Sequence, residues 1–492
     1  MSALTTDAAT VRRLAAALRS ADFTAGAVYA LLGAEAHAAL GRNETTPADR
    51  VTREADSPLA VLIRLFTLQR PVPRAAVDSA LPGLVEPLTC AGLLAADGGE
   101  VRALVDLRPY GDEEHDWWVV CDLTPGLDAG PVEVGPEHVL GISEASSSLA
   151  RLVVRRPAGR TLDLGTGCGV QALHLAQHSG AVVATDVNAR ALDMARLTAA
   201  LNGVAVDVRE GSLYEPVAGE RFDLIASNPP FVVSPPEGER LVYRETGFAG
   251  DDVVRRLVEG ASGQLTEGGL CQLLAAWIHP ADGSWRERLA AWIEPTGLDA
   301  WVVEREEVDL AAYTEMWLAD SGHRGGPGYA EAYDRWLGWF AAQGIGSMGF
   351  GWINLCRAER VTPSVRIEEY GGPVAGPVGA DVQAWAEGVD ALSAGDPLDR
   401  AWRTRPDAVQ IEAGPVGAED PATISVRLTQ GLRRERTVDT VEAGLLSASD
   451  GDLTAGQILD ALAHLLDLDA AAVRAQYAPA VTDLAADGFL LP

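Results

Sequence analysis

Four consecutive residues, Asn228, Pro229, Pro230 and Phe231, could together hold an NH2 group. Two prolines fix the backbone and remove two N–H donors. The carbonyl oxygen of Pro229 and the side-chain oxygen of Asn228 can then accept both hydrogens of one NH2 group. This grip favours a pyramidal nitrogen whose lone pair is aimed at an electrophile, and Phe231 could stack on the planar group that bears it. Taken alone, an Asn-Pro-Pro turn is more often only a loop, so this interpretation depends on the segments upstream.

A glycine-rich turn lies upstream, between a predicted strand and a predicted helix. Glycines let a backbone bend sharply and approach a ligand closely. Asp186 ends the next predicted strand about 20 residues later, which is the spacing of a carboxylate that binds ribose hydroxyls. The pattern predicts a nucleoside site, although the glycines could form only a packing turn and Asp186 only a helix cap. The residues of the turn that could contact the ligand are Asp163, Gly165, Thr166, Gly167 and Gly169.

The glycine spacing distinguishes between nucleoside classes. A dinucleotide fingerprint requires GxGxxG with the pyrophosphate at the helix N-terminus, whereas here Gly169 comes one residue too early. Asp163 would repel a pyrophosphate but suits a cofactor that carries a cation or an amino-acid group. The sequence therefore favours a nucleoside cofactor that carries a cation or an amino-acid group over a dinucleotide.

The elements that must position these residues alternate between strand and helix across residues 136–370, which predicts an α/β, doubly wound parallel sheet. In such a sheet, ligands bind beyond the carboxyl ends of the strands. Both the glycine-rich turn and residues 228–231 follow strands, so we expect them to meet there. We predict a short strand at 301–304 and expect the last strand, 349–357, to close the sheet. The other strands are predicted at 160–164, 181–185, 204–209, 222–227 and 270–278.

The flanking regions predict smaller modules. Residues 1–135 contain helices followed by a small hairpin, which is the order of a winged-helix-like accessory domain. Residues 371–492 begin with a Gly-, Pro- and Ala-rich linker that extends to about residue 390. A helix–turn–helix and a short terminal strand follow, indicating a second winged-helix-like domain. The aromatic segment 313–340 could form a lid or substrate wall, or helices that pack on a neighbouring domain.

The composition narrows the class of partner. The net charge of −31 disfavours a general nucleic-acid binder, because phosphates dominate non-specific affinity, but it allows a local basic groove. The five cysteines lack a CxxC pair, which indicates neither disulfides nor a zinc site. His174 and His178 have metal-ligand spacing without a nearby acidic or cysteine partner, so no metal is expected. Without a signal pattern or an apolar run of about 18 residues, we expect a cytoplasmic protein with no membrane partner.

The segment DLGTGCG resembles motif I of the class I S-adenosylmethionine-dependent methyltransferases. The triplet Asp186, Val187 and Asn188 resembles their motif II, and Gly211 and Ser212 resemble the segment that flanks the adenine. With residues 228–231, the ordered set resembles the NPP(Y/F) amino-methyltransferases: HemK-like glutamine N5, rRNA guanine-N2 and adenine-N6 enzymes. The resemblance covers about 136–280. Residues 247–252 resemble a further HemK-type segment.

The resemblance implies S-adenosylmethionine as methyl donor and S-adenosylhomocysteine as product. It places Asp163 and the glycines at the methionine end of the donor, Asp186 on the ribose, and residues 228–231 at the acceptor, with Asn228 also close to the donor. Phe231 departs from the tyrosine usual in HemK-like enzymes and is common among the nucleic-acid members. The three-part layout is similar to uncharacterised actinobacterial methyltransferases.

Two enzymatic interpretations and one non-enzymatic interpretation follow. The first is an N-methyltransferase acting on a planar NH2 nitrogen of a protein glutamine amide or a similar amide, slightly favoured by the acidic charge. The second is a nucleobase amino-group methyltransferase acting on rRNA, tRNA or DNA. The third is a non-catalytic S-adenosylmethionine sensor, although a sensor has no use for Asn228.

Overall fold

The computed structural model describes residues 6–112, 114–130, 134–236, 242, 248–320, 326–358, 360–416 and 421–492. The chain divides into two compact units, one formed by Met1–Leu149 and Pro157–Glu369, the other by Ala150–Arg156 and Tyr370–Pro492. The division into three domains at residues 135 and 370 stays a prediction.

The N-terminal part of the first unit has helices followed by hairpins, as the sequence predicted. Strands β1, β2 and β3 form a three-stranded antiparallel sheet in the order β1-β3-β2, and β4 pairs with β5. Where the sequence predicted one small hairpin, two antiparallel pairs are found, β2 with β3 and β4 with β5, because the chain leaves one sheet after β3 and enters another at β4. The elements are α1 (Ala8–Ser20), α2 (Ala25–Leu40), α3 (Thr46–Glu54), α4 (Pro58–Leu62, extended by a π-helical turn, Ile63–Thr67), β1 (Val72–Pro73), α5 (Arg74–Ala80), α6 (Val85–Cys90), β2 (Leu94–Asp97), β3 (Glu100–Ala103), β4 (Asp106–Gly111) and β5 (Asp116–Cys121).

The rest of the first unit contains the predicted α/β sheet. Its strands β10, β9, β6, β7 and β8 lie side by side in that order and are parallel to one another. The carboxyl half of β6 is buried throughout, as expected of a strand with helices on both faces. The elements are α7 (Glu144–Leu152, shared between the units), β6 (Ala158–Leu164), α8 (Val170–Ala176), β7 (Ser179–Asp186), α9 (Ala189–Leu201), β8 (Val206–Glu210), β9 (Phe222–Ser227), α10 (Asp252–Gln264), β10 (Leu265–Pro280), α11 (Trp285–Ile293), β11 (Asp299–Asp309), α12 (Leu310–Asp320), α13 (Tyr329–Ala342), β12 (Ile345–Cys356) and β13 (Val365–Glu369).

The far side of this sheet differs from the prediction. The sheet has eight strands in the order β13-β11-β12-β10-β9-β6-β7-β8. The strand expected to close the sheet, β12, lies inside it, antiparallel to both β10 and β11. β13 pairs with β11 and forms the edge instead. The short strand expected at 301–304 is the 11-residue β11, because β12 pairs along nearly its whole length.

The second unit contains two small sheets and four helices among its described residues. The sheets have the orders β18-β14-β19 and β15-β16-β17. The predicted linker is shorter than expected, since α14 begins at Gly379 and buries apolar residues such as Val382 and Trp385. The elements are α14 (Gly379–Ser393), β14 (Ala401–Thr404), β15 (Ala408–Ala413), β16 (Thr423–Leu428), β17 (Glu435–Val438), α15 (Thr440–Ala448), β18 (Asp450–Thr454), α16 (Ala455–Leu465), α17 (Ala470–Ala486) and β19 (Leu490–Leu491).

Candidate active site

The glycine-rich turn joins β6 to α8 in a conformation that only glycine adopts readily. Gly165, Gly167 and Gly169 have φ of 77°, 54° and 88°, in the left-handed region that L side chains disfavour. Gly169 is also restricted by packing, because a Cβ there would lie 3.2 Å from Cα of Ala195 on α9. The turn therefore lets α8 pack closely on α9 and leaves open space beside Gly165 and Gly167, where a Cβ would meet nothing within 4 Å.

Asp163 lies beneath this turn, at the end of β6. Its side chain is buried, and its Oδ2 accepts a hydrogen bond from the Thr166 hydroxyl at 2.5 Å. Burial raises the pKa of the Asp163 carboxyl to about 7, because the charged form loses hydration. The carboxyl holds the turn in shape, and its contact with a ligand stays a prediction.

Asp186, at the end of β7, ties three segments together. Its Oδ2 accepts from the Gly167 N–H and its Oδ1 from the Asn188 N–H, both at 2.9 Å. The carbonyl oxygen of Asp186 accepts from the Gly211 N–H at 3.0 Å. Burial raises the pKa of this carboxyl above its ordinary value. The carboxylate therefore reaches the same space as the glycine-rich turn.

The two residues after Asp186 have different roles: Val187 lines the cavity, and Asn188 mainly supports the surrounding backbone. Val187 is 52% exposed and lines the cavity described below. Asn188 is mainly structural: its side chain caps α9 by accepting from the Arg190 N–H at 3.0 Å and donates to the carbonyl oxygen of Glu137 at 2.9 Å.

The segment after β8 requires glycine at Gly211. A Cβ at this position would lie 2.5 Å from Cγ of Pro216. Gly211 and Ser212 line the cavity, as does Leu213, which the sequence did not single out. Leu213 has φ of 48°, a costly conformation for a branched residue and one that concentrates at functional sites.

Asn228, Pro229 and Pro230 follow β9 and line the same cavity. The end of β9 is tied to that of β6, because the Ser227 hydroxyl donates to the Leu164 carbonyl oxygen at 2.7 Å. Phe231 is half-buried and meets Phe350 edge to face, with ring centroids 6.2 Å apart. The fold therefore brings the Asn-Pro-Pro residues and the glycine-rich turn to one cavity, with Phe231 packed among apolar residues.

The cavity has a volume of about 410 Å³, within the usual range for small-molecule sites. Segments from four strand ends contribute to it. The predicted residues on its wall are Gly165, Thr166, Gly167, Asp186, Val187, Asn188, Gly211, Ser212, Asn228, Pro229 and Pro230.

A second wall, formed by residues before α7, was missed at the sequence level. His138 lines the cavity, and its Nδ1 lies 3.9 Å from Oδ2 of Asp122. Asp122 in turn pairs with Arg190, whose Nε lies 2.9 Å from both carboxylate oxygens. Burial lowers the pKa of His138, and Asp122 opposes that effect. A lone histidine has no spacing pattern, so no sequence signal marked it.

The same wall continues through Ser146, whose carbonyl oxygen accepts from Nε2 of Gln171 at 2.6 Å. Phe248 and Val253, which come after β9 in the chain, also line the cavity. Of the predicted segment 247–252, residue 247 lies outside the described residues, as do residues 321–325 of the aromatic segment.

The histidine pair on α8 does not behave as the spacing suggests. α8 ends at Ala176, so His178 lies beyond it, and His174 shares a 2.7 Å hydrogen bond with the Tyr110 hydroxyl. Within the described ranges, no cluster of three His, Cys, Asp or Glu side chains could hold a metal ion. Among the described helices, none combines the length and apolarity needed to cross a bilayer.

Comparison with known families covers both parts of the first unit. Residues 141–282 match the methyltransferase small domain. This match confirms the predicted methyltransferase family for that part of the chain. Residues 20–104 match a family described only as a domain of unknown function. The resemblance to actinobacterial three-part proteins and the assignment of the 228–231 motif stay predictions.

The names of similar proteins describe two different methyltransferase activities. A release factor glutamine methyltransferase from Xylella fastidiosa is 41% identical over 129 residues, 24% of this chain and 47% of the relative. Ribosomal RNA small subunit methyltransferase C from Salmonella arizonae is 35% identical over 134 residues, 27% of this chain and 36% of the relative. The chain thus spans less than half the length of each.

Among solved structures, the T. thermophilus 16S rRNA N2 methyltransferase in complex with AdoMet and guanosine is similar to this chain at 19% identity and a TM-score of 0.28. The similarity covers 52% of this chain and 67% of that one.

The residues of the cavity fit a cationic nucleoside. Two carboxyl groups lie at the glycine-rich turn, one on the wall and one beneath it. The open space beside Gly165 and Gly167 leaves room for a ligand to approach, and the half-exposed Val187 offers an apolar surface for a flat ring. The wall therefore combines negative charge at one end with an apolar face.

Proposed function

We propose that this chain is an S-adenosylmethionine-dependent N-methyltransferase acting on a planar NH2 nitrogen. The observation that carries the proposal is the convergence of Asn228, Pro229 and Pro230 with the glycine-rich turn and Asp186 on one cavity. The methyl donor supplies an electrophilic methyl group when bound, and S-adenosylhomocysteine is the product.

The residues of the chain act by positioning and electrostatics. The side-chain oxygen of Asn228 and the carbonyl oxygen of Pro229 accept the two hydrogens of the acceptor NH2 group. An amide or aniline-like nitrogen is a weak nucleophile because its lone pair is delocalised, so holding both hydrogens makes the lone pair available. Catalysis then depends on orientation and on stabilising the developing charge. Asp186 binds the ribose hydroxyls of the donor.

We propose a protein glutamine amide, or a similar amide, as the acceptor. Several exposed acidic side chains lie on β11 and α12, the elements that pack beside the loop following Asn228. Such a surface repels a phosphate backbone and suits a protein or small-molecule acceptor. The exposed acidic residues are Glu306, Glu307, Asp309, Glu315 and Asp320. The similar release factor glutamine methyltransferase is consistent with this acceptor.

A nucleobase amino group is the second candidate. It is favoured by the similarity to ribosomal RNA small subunit methyltransferase C and by phenylalanine at residue 231. Both acceptors present a planar NH2 group, so the same grip serves either.

Labelled donor distinguishes the candidates. Purified protein is incubated with methyl-labelled S-adenosylmethionine and a lysate separated into protein, RNA and small-molecule fractions. Label in protein that is released as methylamine on acid hydrolysis supports an amide acceptor, and label in RNA supports the second candidate. If the protein binds the donor in calorimetry but labels no fraction, it acts as a sensor.

Asn228→Ala tests the grip itself. Removing one of the two acceptors should abolish methyl transfer. Because the nucleoside end of the site is untouched, the Kd of the donor should stay within about tenfold, or ~1.4 kcal/mol. Transfer that persists in Asn228→Ala would contradict the mechanism.

A further inference from the structure

The loop that carries the NH2 grip is anchored by a distant element. Residues 228–236 form neither helix nor strand, and four of them are prolines that cannot donate a backbone hydrogen bond. The next two residues after Phe231, Val232 and Val233, are buried in an apolar cluster with α12 and α13. The aromatic segment therefore packs directly on this loop. The sequence alone leaves the role of the segment open between a lid, a substrate wall and helices that pack on a neighbouring domain.

Tyr313 of α12 makes the decisive contact. Its side chain is fully buried, and the Val233 N–H donates to its hydroxyl oxygen at 2.8 Å. A buried backbone N–H needs an acceptor, and here a side chain 80 residues away supplies it. The hydroxyl thus fixes the position of Val233, five residues after Asn228.

The ring of Tyr313 reaches the loop by a second route. Its centroid lies 6.0 Å from that of Phe350 on β12, and Phe350 meets Phe231 at 6.2 Å. Phe340 of α13 also meets the Tyr313 ring edge to face, with ring centroids 5.9 Å apart. The loop is therefore held at Val233 by a hydrogen bond and at Phe231 by a relay of ring contacts.

We propose that Tyr313 is a positioning residue for methyl transfer, and that the aromatic segment serves to hold the acceptor grip rather than to cover the cavity. The inference rests on the proposed function. The geometric reason is that orientation-dependent catalysis is sensitive to small displacements, with about 1 Å costing on the order of 100-fold in rate. Releasing Val233 loosens the oxygens of Asn228 and Pro229 without touching the donor site.

Tyr313→Phe tests the inference with its ring contacts retained. We expect kcat to fall by at least about tenfold while the Kd of S-adenosylmethionine stays within about twofold. Hydrogen–deuterium exchange at the Val233 amide should accelerate by about tenfold or more, because the amide loses its acceptor. The melting temperature should fall by only about a few degrees, because one buried N–H loses its partner while the ring contacts stay.

Tyr333→Phe is the matched control. Tyr333 lies in the same segment, on α13, and its hydroxyl donates to Glu315 at 3.2 Å in an exposed position. This variant should match the wild type in kcat, donor affinity and Val233 exchange.

Two results would overturn the inference: wild-type kcat in Tyr313→Phe, or unchanged exchange at the Val233 amide. The exchange experiment needs no methyl-acceptor substrate. It therefore tests the role of Tyr313 at the loop independently of methyl transfer. Failure of the proposed function has a different signature, since the wild type would then bind the donor and label no acceptor.

Discussion

Asp163 illustrates how burial converts an ordinary carboxyl group into a pH-sensitive one. Its pKa is raised from 3.8 to about 7 by loss of hydration, so folding favours the protonated form. The stability that this group contributes is therefore present at low pH and is lost as pH rises from about 4 to about 7. A cationic ligand at the turn favours the ionised form and lowers the pKa again.

Donor binding should therefore release a proton from Asp163. We expect the affinity for S-adenosylmethionine to rise between about pH 5.5 and pH 7.5, with a slope that approaches but does not exceed about tenfold per pH unit. Calorimetry in buffers of different ionisation enthalpy measures the proton released. Asp163→Asn keeps the shape of the side chain and should flatten the profile; an equally steep profile in this variant would assign the titration to another group.

At the scale of elements, the approach of α8 to α9 shapes the glycine-rich turn. Gly169 combines a positive φ with the 3.2 Å approach to Ala195. Gly219 shares the positive φ, at 79°, but a Cβ there would meet nothing within 4 Å. A comparison of Gly169 with Gly219 therefore separates the energetic cost of backbone strain from that of helix packing.

Alanine at these two glycines should have different costs. Gly219→Ala should lower the free energy of unfolding by about 1–2 kcal/mol, the cost of a left-handed L residue. Gly169→Ala should add about 1–3 kcal/mol for overpacking and weaken donor binding, because α8 must move with the turn. Denaturant titration and calorimetry measure the two effects. Equal losses in both variants would mean that α8 and α9 adjust freely.

At the scale of the first unit, the N-terminal helices and the methyltransferase domain share a core. One apolar cluster includes Leu14 and Val119 from the N-terminal part together with Val170 and Met194 from α8 and α9. Polar contacts reinforce it: the side chain of Asn202 accepts from the Trp118 N–H at 2.9 Å and donates to the Trp118 carbonyl at 2.8 Å. The N-terminal part should therefore unfold together with the methyltransferase domain.

Asn202→Ala should lower the stability of both parts at once. Leaving the Trp118 backbone groups unpaired costs about 1–3 kcal/mol. Scanning calorimetry should show a single unfolding transition for this unit, shifted to a lower temperature. Gln343→Ala, at an exposed amide, is the control and should leave it unchanged. A split transition, with only the N-terminal part destabilised, would contradict a shared core.

Local chemistry made the strands, the glycine-rich turn and the order of the motifs predictable. Glycines at positive φ, paired prolines and the alternation of strand and helix patterns are properties of short segments, so Gly167, Asp186 and Asn228 could be placed at strand ends from the sequence alone. The parallel α/β class then required those ends to share one edge.

Only the tertiary structure decided which distant residues complete and support the site. β12 lies inside the sheet because it pairs with both β10 and β11, and pairing partners are not encoded in the pattern of one strand. His138 lies on the cavity wall because the chain before α7 passes the end of β7, and Tyr313 acts on Val233 across 80 residues. Such contacts depend on how elements pack in space, and a linear pattern carries no record of them.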